Sequence, residues 1–102
     1  MKNIILVCAA GLSTSLLVTK MKDAAKELGK EVHIEAMPAG SFAKYSEPVD
    51  VLLLGPQVRY MEAEMKSTYE PRGIKVAVIE MADYGMMNGK KVLQSAYAMM
   101  GE

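Results

Sequence analysis

The most informative segment of the chain is Ile4-Ile5-Leu6-Val7-Cys8-Ala9-Ala10-Gly11-Leu12-Ser13-Thr14-Ser15-Leu16-Leu17. It begins with an apolar run typical of a buried strand, which ends at Cys8, the only cysteine of the chain. Small and hydroxyl-bearing residues follow, and then a helical pattern begins. A thiol between a strand end and a helix N-terminus faces unpaired N–H groups and the positive end of the helix dipole, which favour anions and the nucleophilic thiolate. We therefore expect Cys8 to carry a phosphoryl group.

The composition predicts a single globular domain over residues 1–102. Apolar residues make up 51% of the chain, and 12 basic residues balance 12 acidic ones, so no net charge attracts nucleic acid or a membrane surface. One cysteine forms no internal disulfide, which is typical of a reducing compartment. No apolar run is long enough for a signal peptide or a membrane span. We expect a cytoplasmic monomer that does not insert into the membrane.

Hydrophobic periodicity predicts four strands, at residues 3–8, 32–37, 50–54 and 74–79. Helices are predicted at residues 13–28, capped by Ser13 or Ser15, at 57–70, and from a cap at Asn88 onward. Residues 41–45 resemble one or two helical turns, and residues 81–85 are predicted to form a loop.

Strands that alternate with helices favour an α/β fold, in which a four-stranded parallel sheet of order 2-1-3-4 has helices on both faces. This is a flavodoxin-like arrangement, of the kind found in low-molecular-weight tyrosine phosphatases. Ligands of such sheets bind at the carboxyl ends of the strands, where the strand order reverses. That place is beside strand 1, at Cys8.

Several other kinds of site are disfavoured by spacing. A cysteine phosphatase needs an arginine six positions after its cysteine, and Thr14 stands there. The chain also lacks a Walker A motif, a Cys-x-x-Cys pair and a Gly-x-Gly-x-x-Gly loop. Taken alone, Cys8 is equally compatible with a small buried hydrophobic residue. Gly11 and the hydroxyl residues after it favour an anion-binding loop.

The chain resembles the IIB component of the lactose/cellobiose (N,N′-diacetylchitobiose) class of the phosphoenolpyruvate-dependent sugar phosphotransferase system. The resemblance spans nearly the whole chain, and its motifs are Cys8-Ala9-Ala10-Gly11-Leu12-Ser13-Thr14-Ser15-Leu16-Leu17-Val18, Val51-Leu52-Leu53-Leu54-Gly55-Pro56-Gln57-Val58 and Tyr84-Gly85. It implies a phosphotransferase that receives a phosphoryl group from a phosphohistidine of the IIA protein, holds it on cysteine, and passes it to a sugar bound by the membrane IIC permease. The implied sugar is a β-linked disaccharide such as cellobiose, chitobiose or lactose.

The resemblance makes Cys8 the phosphocysteine. The implied phosphate-binding loop consists of Ala9, Ala10, Gly11, Leu12, Ser13, Thr14 and Ser15. Gln57, after strand 3, and Tyr84 and Gly85, after strand 4, face the same edge of the sheet and are candidates for its rim. No cofactor is expected, and no cluster of His, Cys or carboxylate residues predicts a metal site.

The absence of arginine from the loop suggests a hypothesis about function. A relay protein must keep its phosphoryl group until the next partner arrives, and amides and hydroxyls can neutralise phosphate without promoting hydrolysis. Two alternatives remain open: a cysteine-dependent phosphatase-like enzyme, and a non-catalytic α/β binding module with a redox-sensitive cysteine.

Residues outside this loop are weaker candidates. Leu12, Met86 and Met87 could form an apolar docking patch around Cys8, although core packing explains the methionines equally well. His33 falls in the middle of a strand on its more polar face, so we expect it to be solvated and to play no part in the chemistry.

Overall fold

The computed structural model describes residues 1–8 and 12–101, and the side chains of these residues apart from Leu12 and Ser13. Its strands are β1 (Lys2–Val7), β2 (Val32–Met37), β3 (Val51–Leu54) and β4 (Lys75–Val78). They form one parallel sheet in the order β2-β1-β3-β4. The predicted strand order is confirmed.

Five α-helices occur in the described part of the chain: α1 (Leu12–Glu27), α2 (Ala39–Phe42), α3 (Glu62–Tyr69), α4 (Met81–Gly85) and α5 (Gly89–Met99). Two 3-10 segments, Pro56–Met61 and Glu70–Arg72, precede and follow α3. Among the described residues, no helix is both long enough and apolar enough to cross a membrane.

Alternate residues of the central strands bury opposite faces of the sheet. Ile4 and Leu6 of β1 pack with α1 and α5, whereas Ile5 and Val7 pack with α3 and the segment around Phe42. Strand β3 divides in the same way. Because both faces are buried, these strands are apolar along their whole length, which is why their sequence shows no alternation. Helices on both faces confirm the predicted fold class.

Three local predictions were wrong. Helix α1 is already helical at Leu12, so Ser13 and Ser15 lie inside it and neither is its cap. Residues 56–61 form 3-10 turns before α3 starts, because the backbone of Val58 (φ −116°, ψ 23°) leaves the helical region where its side chain enters the core. Residues 81–85 form the short helix α4 instead of a loop. The predicted cap of α5 is confirmed: Asn88 Oδ1 accepts a hydrogen bond from the Lys91 N–H at 3.2 Å.

Asn3 ties the long connection between β2 and β3 to the amino edge of the sheet. Its side-chain Nδ2 donates to Tyr45 OH at 3.0 Å and to the Pro48 carbonyl at 2.7 Å, while its backbone N–H donates to Asp50 Oδ2 at 2.8 Å. Residues 45–50 are therefore anchored at the edge opposite Cys8.

Candidate functional site

Cys8 follows directly after the last residue of the central strand β1. Its N–H donates to the Met37 carbonyl at 3.4 Å, and its side chain is only 3% exposed. Strand β1 lies between β2 and β3, so Cys8 is at the carboxyl edge where the strand order reverses. This is where open α/β sheets bind their ligands.

The loop after Cys8 leads into the N-terminus of α1. Ala9, Ala10 and Gly11, and the side chains of Leu12 and Ser13, lie outside the described residues, so their predicted phosphate contacts stay predictions. Thr14 is 1% exposed, and Ser15 is exposed. The first turns of α1 carry N–H groups without helical partners, which is the property that an anion site needs.

Gly55, after β3, adjoins the thiol. Its N–H donates to the Val7 carbonyl at 2.9 Å. A Cβ atom built on Gly55 would lie 3.5 Å from Cys8 Cβ and 2.9 Å from Gln57 Oε1. Cys8 Cβ and Gln57 Oε1 thus border the same small space beside Gly55, and a role for Gln57 at the rim of a phosphate site stays a prediction.

Tyr84 contacts the first turn of α1. Its hydroxyl lies 3.3 Å from Thr14 Oγ1, which joins α4 to the first turn of α1. The neighbouring Gly85 is exposed at the end of α4, and a Cβ built on it would have open space around it. Tyr84 is thus in contact with the first turn of α1, and the rim roles of Tyr84 and Gly85 stay predictions.

The other residues named in the sequence analysis are divided between the surface and the core. Met86 is 79% exposed, but Met87 packs against the core beside α1 and α5. His33 is exposed, with Nε2 3.1 Å from Glu35 Oε1, and lies on β2 away from Cys8. Within residues 1–8 and 12–101 no group of three or more His, Cys, Asp or Glu side chains has the geometry of a metal site.

Two features of this edge were missed by sequence reasoning. Asp83 is 7% exposed and its carboxylate lies 3.4 Å from Lys91 Nζ, although an acidic residue in a short connection is usually solvated. Exposed apolar side chains also follow the carboxyl ends of three strands: Met86 was predicted as part of an apolar patch, but Leu16, Tyr60 and Met81 were not. The exposure of Leu16, Tyr60 and Met81 could be recognised only once the burial of each side chain was known.

The family of the lactose/cellobiose-specific IIB subunits of the phosphotransferase system (PTS) matches residues 3–95. The chain belongs to this family. It is 48% identical over 104 aligned positions to the galactose-specific EIIB component of Lactococcus lactis subsp. cremoris, which covers 97% of this chain and 96% of the relative. It is 47% identical, with the same coverage, to the cellobiose-specific EIIB component of Lactococcus lactis subsp. lactis.

A solved relative supports the same assignment. The chain resembles the cellobiose-specific IIB component of Borrelia burgdorferi with a TM-score of 0.78 and 40% identity, over 96% of this chain and 90% of that one. As a IIB component the chain is a phosphotransferase that acts in phosphoryl transfer to a sugar, and the phosphatase-like and non-catalytic alternatives are not favoured.

Some relatives contain the IIB unit within a larger protein. The lactose-specific EIICB component of Streptococcus mutans matches 82 positions at 32% identity, and the match is 14% of that protein's length. In such proteins a IIB unit and a IIC unit share one chain, which supports a partnership between IIB and membrane IIC.

Proposed function

We propose that Cys8 receives a phosphoryl group from a phosphohistidine of the IIA protein and passes it to a sugar bound by the membrane IIC permease. The observation that carries this proposal is the position of the only cysteine, at the carboxyl end of the central strand of a IIB fold. A buried thiol beside the N-terminus of α1 has the surroundings of a phosphoryl acceptor.

Both steps are substitutions at phosphorus. In the first, the sulfur of Cys8 forms the S–P bond as the P–N bond of the donor breaks, and the thiol proton ends on the released imidazole. In the second, a sugar hydroxyl oxygen forms the P–O bond as the S–P bond breaks, and the hydroxyl proton is taken up by the departing thiolate or by solvent. Positioning and neutralisation of the phosphoryl oxygens supply most of the catalysis in such transfers.

Residues Ala9 to Ser15 form the phosphate-binding loop in this proposal, with Gln57, Tyr84 and Gly85 at its rim. The support is that Gln57 and Cys8 meet above Gly55, and that Tyr84 contacts Thr14. Thr14 is buried and stands six positions after Cys8, where a cysteine phosphatase has its arginine. We expect the phosphocysteine to persist until the acceptor binds.

The sugar is proposed to be a β-linked disaccharide such as cellobiose, chitobiose or lactose. The relatives are named for cellobiose and for galactose at nearly equal identity, which supports selection of the sugar by IIC and not by this chain. We propose that residues 1–102 act as a single domain and a monomer in the cytoplasm, which associates transiently with the permease.

The test is phosphorylation of the chain by its upstream partners. Incubation with phosphorylated IIA should add about 80 Da, one phosphoryl group, at Cys8. The adduct should be absent from Cys8→Ser and should disappear when permease membranes and the sugar are added. Steady release of inorganic phosphate without sugar would indicate a phosphatase, and the lack of any adduct on the wild-type chain would contradict the proposal.

A further inference from the structure

The contact between Tyr84 and Thr14 joins two elements that are distant in sequence. Their hydroxyl oxygens are 3.3 Å apart across 70 residues, and Thr14 is 1% exposed. A buried hydroxyl requires a hydrogen-bond partner, and Tyr84 provides one for Thr14. Thr14 is the third residue of α1, so this bond fixes the turn whose N–H groups have no partners within the helix.

Tyr84 itself is held by contacts between α4 and the start of α5. The carboxylate of Asp83 is 3.4 Å from Lys91 Nζ, and the Asp83 carbonyl accepts a hydrogen bond from the Asn88 N–H at 2.9 Å. Asn88 in turn caps α5. The ring of Tyr84 packs against the core shared by α1 and α5. The phenol of Tyr84 is therefore presented to Thr14 by the packing of α4 against α5 and the core.

The two hydroxyls can make more hydrogen bonds than the one between them. Together they contain two hydrogens, and the bond between them uses one. When Tyr84 donates to Thr14, Thr14 can donate its own hydrogen to another acceptor. A phosphoryl oxygen is such an acceptor, and a hydrogen bond to a charged oxygen is stronger than one between neutral groups.

We propose that Tyr84 is a positioning residue for phosphoryl transfer, which holds Thr14 and the first turn of α1 in the geometry that receives the phosphoryl group on Cys8. The inference rests on the proposed function of Cys8 and deepens it. Tyr84 acts through Thr14, so the two hydroxyls form one unit. Removing either hydroxyl should therefore cost the same as removing both.

The experiment is a double-mutant cycle in single-turnover transfer from phosphorylated IIA, followed by mass spectrometry of the phosphocysteine. Tyr84→Phe and Thr14→Val should each slow transfer about five-fold, which is what one net hydrogen bond is worth. The double variant should be no slower than either single one, and Thr14→Ser, which keeps the hydroxyl, should restore the rate. Phosphorylation should change the amide ¹⁵N and ¹H chemical shifts of residues 14–16, and these changes should differ between Tyr84→Phe and the wild type.

The matched control is Tyr45→Phe, which removes a phenol hydrogen bond at the opposite edge of the sheet, where Tyr45 OH accepts from Asn3. It should lower stability and leave the transfer rate unchanged. Thr14→Ala replaces Thr14→Val if the valine variant does not fold. An unchanged rate in Tyr84→Phe, additive losses in the double variant, or equal slowing in Tyr45→Phe would overturn the inference. Failure of the wild-type chain to become phosphorylated would instead overturn the proposed function.

Discussion

Gly55 shows how one missing side chain shapes the site. Its backbone (φ −63°, ψ 151°) lies in a region open to every residue, so the backbone conformation does not explain why glycine occurs at this position. Space explains it instead, because a Cβ there would lie 2.9 Å from Gln57 Oε1. The same Cβ would touch Cys8 Cβ at 3.5 Å, an ordinary contact distance. Glycine thus lets Gln57 fold back beside the thiol.

Gly55→Ala should therefore displace Gln57 without disturbing Cys8. The end of an exposed glutamine moves at little cost, so we expect a melting temperature close to that of the wild type. If the Gln57 amide donates to a phosphoryl oxygen, transfer from phosphorylated IIA should slow roughly ten-fold, because a hydrogen bond to a charged oxygen is worth about that much. Gln57→Ala is the comparison: it should slow transfer by the same factor, and combining the two changes should add nothing. A slow Gly55→Ala beside a normal Gln57→Ala would show that Gln57 takes no part.

At the scale of elements, α5 packs closely on α1, and this packing supports α4, which carries Tyr84. Gly89, the first residue of α5, is buried against the backbone of α1. A Cβ built on it would lie 2.5 Å from the carbonyl carbon of Lys20 and 2.6 Å from the N atom of Met21. These are backbone atoms, which cannot turn aside as the end of a side chain can. The two helices can be this close only with glycine at position 89.

Gly89→Ala should force α1 and α5 apart and destabilise the fold by roughly 3 kcal/mol or more, at the upper end of what overpacking costs. Urea unfolding measures the effect. The matched control is Gly40→Ala in α2, where a Cβ has open space around it, and where alanine should be neutral or slightly stabilising because it favours helix. Equal stability of the two variants would show that the helices adjust without strain.

The elements differ in how well the sequence predicted them. The apolar strands and their order followed from short hydrophobic runs separated by helical patterns, and Cys8 and Gln57 were assigned to one edge because both follow strand ends. The 3-10 turns at Pro56–Met61 were not predictable, because they depend on how Val58 enters the core. Helix α4 was missed since a five-residue helix carries too little periodicity to be recognised.

The contact between Thr14 and Tyr84 could not be predicted from the sequence either. Thr14 and Tyr84 were each identified as candidates, one from the loop and one from the rim. Their hydrogen bond spans 70 residues and depends on the placement of α4 against α5, which no local pattern records. The burial of Asp83 beside Lys91 arises from the same placement.

At the scale of the whole molecule, the carboxyl and amino ends of the sheet carry different kinds of residues. Cys8 lies at the carboxyl end of the sheet, whereas Met1 and Tyr97 line an open depression of about 450 Å³ at the amino end. The first residues and the end of α5 thus both lie opposite the thiol. The carboxyl end carries the exposed apolar residues Leu16, Tyr60, Met81 and Met86, which we call the apolar rim. Since Cys8 is 3% exposed, a donor must bind this end closely to reach it.

The apolar rim should therefore govern affinity for the donor protein more than the chemical step. Met86 and Tyr60 are each 79% exposed, so changing them to serine should leave the stability of the chain unchanged. The double variant should raise the KM for phosphorylated IIA roughly ten-fold, because it removes apolar area that binding would bury, and should change the maximal rate little. Steady-state transfer at varied IIA concentration separates the KM from the maximal rate.

Leu28→Ser is the control, since Leu28 is an exposed apolar residue just beyond α1, near the amino end, and its loss should leave the KM as it is. A KM raised equally by Leu28→Ser, or a double variant with an unchanged KM, would show that the donor binds elsewhere.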